Sequence, residues 1–272
     1  MPDSRRAATA SALLSGLLFF SAICAADSRV PVIAIIIDDL GYHLLDGERA
    51  ARLPGPVACS ILPHTPSSRH LARRCHTLGK EVLLHLPMQA QDHTADPGPG
   101  VLTMAQDRAE LIDQLSSDLE AVPYVSGVNN HMGSLLTLNL AKMQWVMSEL
   151  HRIGSLYFID SYTTPSSVAL RVARANGLPT ARRDVFLDPD PSRDAVAMQM
   201  DRLLDEARMT GFALGIGHPH ATTMAVLEEV LPMMAADGII LVSVAELVRR
   251  STVEEVPWLA TYSYPSHPVS RR

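Results

Sequence analysis

The feature that most constrains the fold of this chain is an alternation of short apolar runs with segments of helical periodicity, which begins at residue 32. The apolar runs have the length and β-branched content of buried strands, whereas the intervening segments repeat apolar residues every three or four positions. Segment 138–153 shows this helical repeat, and Gly154 follows it at the position of a C-terminal cap. We therefore predict strands over residues 32–38, 57–62, 81–86, 126–130, 155–160, 183–187, 212–217 and 239–243, and helices near residues 44–52, 66–79, 106–121, 138–153, 165–176, 192–210, 221–236 and 244–250.

Repeated strand–helix units of this kind predict a single α/β domain with parallel strands. Seven or eight units favour a distorted (β/α)7–8 barrel, and an open, doubly wound sheet is the alternative fold. The chain has 272 residues, of which 47% are hydrophobic, so it can bury one large core. No internal repeat or second domain is evident, and we assign residues 27–250 to the barrel.

The first 26 residues have the composition of a signal peptide rather than of the fold. A pair of arginines precedes an apolar stretch over residues 12–23, and small residues offer a cleavage site after Ala26. A lipid anchor on Cys24 and an uncleaved signal anchor are the alternatives. We therefore predict a signal peptide at residues 1–26 and an exported, periplasmic mature chain without a stable membrane span.

Three further features follow from composition. Residues 251–272 contain three prolines and no periodicity, which predicts a flexible tail. Residues 91–103 form a polar, Pro/Gly-rich loop of a length that often covers a functional site. The net charge of −6, without a basic cluster, argues against nucleic acid as a partner. The oligomeric state is left open.

The predicted mature chain contains two cysteines, Cys59 in a predicted strand and Cys75 in a predicted helix. Export would permit a disulfide between them. Because cysteines in such elements commonly pack as small apolar side chains, we expect two buried thiols instead.

Ionisable side chains stand at the carboxyl ends of six of the eight predicted strands. In an α/β barrel these ends form the rim that carries the active site. The first strand ends in Asp38-Asp39, for which the alternative interpretation is a helix cap beside an exposed carboxylate. The later strands contribute His85, the Asn129-Asn130-His131 segment, Asp160, Asp188 and His218.

Three histidines and several carboxylates on one rim form the ligand set that a divalent cation such as zinc prefers. A cation would also relieve the repulsion between the neighbouring carboxylates of Asp38 and Asp39. Asn129 and Asn130 are candidates for orienting His131 or for donating to a sugar or an oxyanion, with a purely structural turn as the alternative. The motifs of serine hydrolases and of nucleotide-binding loops are absent from the sequence.

Five segments, in this order, resemble the divergent polysaccharide deacetylase family of the glycoside hydrolase/deacetylase superfamily. The resemblance covers roughly residues 30–250, and the Asn-Asn-His-Met-Gly-Ser segment is its most specific part. The segments are Ile35–Gly41, His85–Met88, Gly127–Ser134, Phe158–Ser161 and Ile216–Pro219.

The resemblance implies a distorted deacetylase barrel and a role for each site residue. By position, Asp38 would be the general base, Asp39 and His85 metal ligands, and His218 the general acid. Typical members carry a second histidine four residues after the first, but position 89 is glutamine here, and we assign that role to His131. The arginine motif that supports the base in such enzymes is also not where it is expected.

The remaining predicted site residues, Asn129, Asn130, Asp160 and Asp188, are assigned to substrate binding or to the support of neighbouring groups. The function implied is metal-dependent hydrolysis of carbon–nitrogen (amide) bonds in an envelope polysaccharide, by resemblance N-deacetylation. The alternative is a non-catalytic glycan-binding or envelope-organising protein on the same barrel. Hydrolysis of glycosidic bonds is disfavoured, because no glutamate stands at a strand's carboxyl end.

Overall fold

The structure, a computed structural model, describes residues 30–254, and nine strands and eight α-helices alternate along this range. The strands are β1 (Val32–Leu40), β2 (Ala58–Ile61), β3 (Val82–Met88), β4 (Val125–Met132), β5 (Tyr157–Asp160), β6 (Thr180–Arg182), β7 (Val185–Phe186), β8 (Phe212–Gly217) and β9 (Ile240–Leu241). The helices are α1 (Leu44–Ala51), α2 (Ser68–Thr77), α3 (Arg108–Ala121), α4 (Leu140–Ile153), α5 (Ala169–Ala175), α6 (Arg193–Thr210), α7 (Ala221–Val230) and α8 (Val244–Glu254).

All strand pairs are parallel, in the order β6-β5-β4-β3-β2-β1-β8-β7, with β9 paired to the start of β1. Within the described residues the two end strands, β6 and β7, do not pair with each other. The sheet is therefore a curled half-barrel, which confirms the predicted distorted (β/α)7–8 barrel as a single domain.

Side chains alternate between the two faces of the sheet, as the strand geometry requires. Along β1, Ile33, Ile35 and Ile37 belong to the core that packs against helices α1–α7, whereas Ala34 and Ile36 belong to a smaller core covered by α8. A residue's position in this alternation therefore decides which face its side chain reaches.

The structure departs from the predictions at the short elements. β6 was not predicted, because three residues are too few to show a period, and the predicted strand 183–187 shortens to Val185–Phe186. Helix α8 continues to Glu254, so the first residues of the predicted tail 251–272 are helical. The predicted signal peptide 1–26 and the rest of that tail lie outside the described residues.

Cys59 on β2 and Cys75 on α2 form a disulfide, so the prediction of two buried thiols is wrong. Helix α2 follows β2 in the chain and packs against it. The two Cα atoms are therefore 6.5 Å apart, a separation that a disulfide spans. Sequence pattern alone does not supply that distance.

None of the helices within residues 30–254 combines the length and apolar character needed to cross a bilayer.

Candidate metal centre and active site

The two adjacent carboxylates reach the same site because β1 is irregular where they lie. Consecutive strand residues normally face opposite sides, and Asp38 shares the face of Ala34 and Ile36. The pairing of β1 with β2 shifts register between Ile37 and Leu40, and Asp39 has φ +58. A bulge of this kind redirects a side chain, and it brings Asp39 to the rim beside the buried Asp38.

Three donor atoms meet beside this bulge. Asp39 Oδ1 lies 3.1 Å from His85 Nε2 and 2.9 Å from His131 Nδ1. The two imidazole nitrogens are 3.1 Å apart, which completes a triangle of nearly equal sides. His85 and His131 stand on adjacent strands, where His85 pairs with Asn129 and Pro87 with His131. The structure thus brings together all three predicted metal ligands.

Asn129 determines which nitrogen of His85 is free to bind a cation. Its Nδ2 donates to both carboxylate oxygens of Asp38, at 2.9 and 3.1 Å, which orients the amide. Its Oδ1 then lies 3.2 Å from His85 Nδ1 and accepts a hydrogen bond from the Nδ1–H group. His85 Nε2 consequently carries the lone pair and faces Asp39, as in other metal sites where a hydrogen bond fixes the ligand tautomer.

The donor set fits a divalent cation. Asp39 Oδ1 is buried and makes no hydrogen bond of good geometry with any described residue, although two imidazole nitrogens lie close to it. One ion held by these donors would satisfy all three, and one carboxylate with two imidazoles suits zinc. Burial alone would raise the pKa of Asp39, but His131 and His85 hold it well below its usual range, so this carboxylate is ionised.

The carboxylates also act on His85. Burial opposes a charge on its ring, but Asp38 and then Asp39 outweigh that effect and raise the pKa of His85. The site therefore attracts positive charge, either a proton on the imidazole or a cation among the three donors.

His218 faces this cluster from β8. Its Nε2 lies 3.8 Å from Asp39 Oδ2, and its Nδ1 lies 3.0 Å from Asp188 Oδ1. The second oxygen of Asp188 accepts from the His218 backbone N–H at 2.7 Å and from Thr223 Oγ1 at 2.8 Å. Burial disfavours the imidazolium, but Asp188 and then Asp38 raise the pKa of His218 to about 9.

Two predicted site residues, Asn130 and Asp160, serve the loops at the rim instead of the donor cluster. Asn130 donates to the Met132 carbonyl and accepts from the Ser161 backbone N–H. Asp160 accepts from the Tyr162 backbone N–H and from Ser167 Oγ, both within the turn that follows β5. Both lie on the face of the sheet that packs against helices α1–α7, two residues after Val128 and Phe158 of that core. Their side chains therefore point away from the donor cluster and bind the neighbouring loops.

Arg183 is the main residue that the sequence analysis missed. Its guanidinium donates to the backbone carbonyls of Ser161 and Tyr162, at 2.7 and 3.1 Å, and lies over the Phe186 ring. Burial lowers the pKa of Arg183, while Asp38 and Asp160 act against this. The sequence did carry a signal for this residue, because Arg182 and Arg183 stand at the start of a predicted strand. A charged side chain that is buried with such a strand usually has a partner.

The cluster opens into a cavity of about 380 Å³. Its wall includes Asp38, His85, His131 and His218, together with Arg183 and Tyr162. A larger cavity of about 900 Å³ lies between the amino end of β5 and helix α8 and contains none of these groups. The smaller cavity is therefore the candidate active site, because it joins space for a ligand to the donor cluster.

Comparison of the sequence with protein families gives a match over most of the described chain. The profile of the divergent polysaccharide deacetylases matches residues 35–248. The uncharacterized protein YibQ of Escherichia coli K12 is 36% identical over 261 residues, which cover 93% of this chain and 77% of YibQ. An uncharacterized protein of Haemophilus influenzae is 32% identical over 239 residues, which cover 88% of this chain and 84% of that protein.

Solved structures share the fold. The crystal structure of the uncharacterized protein ATU2773 from Agrobacterium tumefaciens C58 has a TM-score of 0.76 at 24% identity, with 82% of this chain and 91% of that chain covered. The peptidoglycan deacetylase PdaC from Bacillus subtilis has a TM-score of 0.51 at 14% identity, with 85% and 96% covered. At these identities the likeness concerns the half-barrel alone.

Proposed function

Because the chain belongs to the divergent polysaccharide deacetylase family, we propose that it is a metal-dependent hydrolase of amide bonds in an envelope polysaccharide, with N-deacetylation as its reaction. The observation that carries this proposal is the triangle formed by Asp39, His85 and His131, with the buried carboxylate of Asp38 3.6 Å from His85 and the imidazole of His218 3.8 Å from Asp39. The arrangement offers a base, an acid and a cation site around one cavity.

In this proposal Asp39, His85 and His131 hold a divalent cation, with zinc as the best match to two nitrogen donors and one oxygen donor. When bound, the ion polarises the acetamide carbonyl and lowers the pKa of water. His85 presents the correct nitrogen because Asn129 holds the proton on the other one.

Asp38 is the proposed general base. Its carboxylate accepts two hydrogen bonds from Asn129 and lies 3.6 Å from His85 Nε2, so it is fixed beside the ligand set without belonging to it. A carboxylate in this position takes a proton from the attacking water.

His218 is the proposed general acid. With a pKa of about 9, its ring is protonated at neutral pH, and Asp188 holds the Nδ1–H. The Nε2–H then faces the cavity and is available for the leaving amine. Proton loss from Nε2 leaves a neutral ring that keeps its hydrogen bond to Asp188.

We also propose that the chain acts outside the cytoplasm, in the periplasm. The composition of residues 1–26 supports export, and the disulfide between Cys59 and Cys75 supports an oxidising compartment.

The reaction is tested by acetate release from N-acetylated glycan fragments. The wild-type protein supplied with zinc is expected to release acetate, and Asp38→Asn is expected to lose activity by a factor of about 10²–10⁴, the range typical of a removed general base. Asp205→Asn, which changes an exposed carboxylate on α6, is the matched control and should remain active. If zinc-loaded protein released no acetate from any glycan, the non-catalytic glycan-binding alternative would replace this proposal.

A further inference from the structure

A second group of metal-binding side chains lies on the other side of the His218 ring. Asp188, His218 and His220 each offer one donor atom, and these atoms lie within 4.8 Å of one another. Nε2 of His218 faces Asp39, whereas Nδ1 faces Asp188. The imidazole of His218 thus separates this group from the triangle of Asp39, His85 and His131.

The chain between β8 and α7 holds the two histidines together. The His220 backbone N–H donates to the His218 carbonyl at 2.8 Å, which closes a tight turn around Pro219. The ring centroids of His218 and His220 are 5.9 Å apart. His220 is exposed and has no carboxylate partner within residues 30–254, so its ring is open to an ion arriving from solvent.

The carboxylate of Asp188 is oriented for a further ligand. Its Oδ2 is fixed by the His218 backbone N–H and by Thr223 Oγ1. Among the residues that the structure describes, its Oδ1 has only His218 Nδ1 as its partner, at 3.0 Å. A cation can therefore replace the one proton between these two atoms while the bonds that orient the carboxylate stay intact.

We propose that Asp188, His218 and His220 form a second site for a divalent cation of the zinc class, and that occupancy of this site inhibits the enzyme. Binding of the ion at His218 Nδ1 releases the shared proton to solvent. An ion in this position takes the place of the proton that Asp188 Oδ1 accepts from His218 Nδ1. His218 then serves as a metal ligand instead of as the acid that faces the cavity.

The second site binds more weakly than the first. An ion at the second site breaks the hydrogen bond between Asp188 and His218 and has the exposed His220 as a ligand. The triangle instead offers the buried His85 and Asp39 Oδ1, which has no hydrogen bond of good geometry among the described residues. One ion therefore fills the triangle first, and the second site fills only when zinc is in excess.

Zinc binding is measured by equilibrium dialysis of the whole mature protein, followed by elemental analysis. The wild type is expected to take up one ion tightly and a second one more weakly. His220→Ala should weaken the second ion by more than about tenfold and leave the first unchanged. His151→Ala, which removes another exposed histidine, should bind as the wild type does. Equal binding curves for His220→Ala and the wild type would overturn the proposal.

The inhibitory role rests on the proposed function and is tested separately. The ratio of acetate release at excess zinc to that at equimolar zinc is expected to fall for the wild type and to stay near one for His220→Ala. Equal inhibition of both proteins would contradict the inhibitory role. Two-ion binding without any acetate release would retain the site and reject the hydrolase.

Discussion

At the scale of single residues, Asn129 connects the proposed base to the metal donors through one buried amide. Its Nδ2 donates to Asp38 and to Ser161 Oγ, while its Oδ1 accepts from Ser60 Oγ and His85 Nδ1. A fully satisfied buried amide of this kind holds its neighbours in one arrangement, and its loss leaves several polar groups without a partner.

Asn129→Leu, which has a similar volume, is expected to lower the free energy of unfolding by about 1–3 kcal/mol, because it leaves buried partners unsatisfied. Ser60→Ala removes only one donor to Asn129 and is the graded control, with a loss of about 1 kcal/mol. Urea denaturation measures both variants. A midpoint for Asn129→Leu equal to that of the wild type would show that the network does not stabilise the fold.

The sequence could predict these site residues only in part. His85, Asn129 and His131 follow from strand ends and from the two-residue period that places the last two on one face. The direction of Asp39 depends on a register shift between β1 and β2, and no pattern within β1 reveals that shift. Arg183 was missed because its hydrogen bonds go to a loop more than 20 residues earlier in the sequence, and no local pattern reveals them.

At the scale of elements, helix α3 carries a buried carboxylate beneath the long loop 91–103. Asp118 Oδ1 accepts from Gln114 Nε2 and lies 2.9 Å from His64 Nε2, while its Oδ2 is buried without a hydrogen bond to any residue in the range 30–254. A Cβ on Gly100 would lie 2.5 Å from Asp118 Oδ1, so the loop packs directly on this group. Burial raises the pKa of Asp118 to about 8.

This shift predicts a stability that depends on pH. Between pH 4 and pH 8 the folded protein keeps a proton on Asp118 that the unfolded chain has lost, so stability falls as pH rises through this window. Asp118→Asn cannot ionise, and it is expected to match the wild type near pH 4, where the loss begins, and to exceed it increasingly up to about pH 8. Thermal melts across this range test the difference, and parallel curves for the two proteins would contradict it.

The disulfide between β2 and α2 is the second feature at this scale, and it closes a loop with a sequence separation of 16 residues. A crosslink of this size restricts the unfolded chain and stabilises the fold by about 3 kcal/mol. Cys59→Ala with Cys75→Ala is therefore expected to lower the urea midpoint, and so is a reductant acting on the wild type. A reductant that left the wild-type midpoint unchanged, or that changed the midpoint of the double variant, would contradict this account.

At the scale of the whole molecule, the half-barrel places the candidate site residues of separate strands on one rim. Within residues 30–254, six non-glycine residues have positive φ, and four of them, Asp39, His64, Met132 and Tyr162, stand at or just beyond the carboxyl ends of strands. Backbone strain of this kind is often concentrated at functional sites. Glu81 lies at the opposite end of the sheet, where it accepts from backbone N–H groups at the start of α8 and has no place in the candidate site.

The overall architecture was predictable because most units are long enough to show a period. The opening of the barrel between β6 and β7 could not be predicted, because strands of two or three residues carry no periodic signal. Closure of the barrel also depends on pairing between these two end strands, which a local pattern does not reveal. The rim chemistry was predictable without that detail, since parallel strands place all their carboxyl ends on one side.

The proposed chemistry depends most directly on a cation at Asp39, His85 and His131, and the metal content of the purified protein tests it. We expect one tightly bound zinc-class ion per chain, lost in Asp39→Asn, His85→Ala and His131→Ala and retained in the exposed-site controls Asp205→Asn and His151→Ala. Protein that is isolated without metal and takes up none on titration with zinc would contradict the central claim.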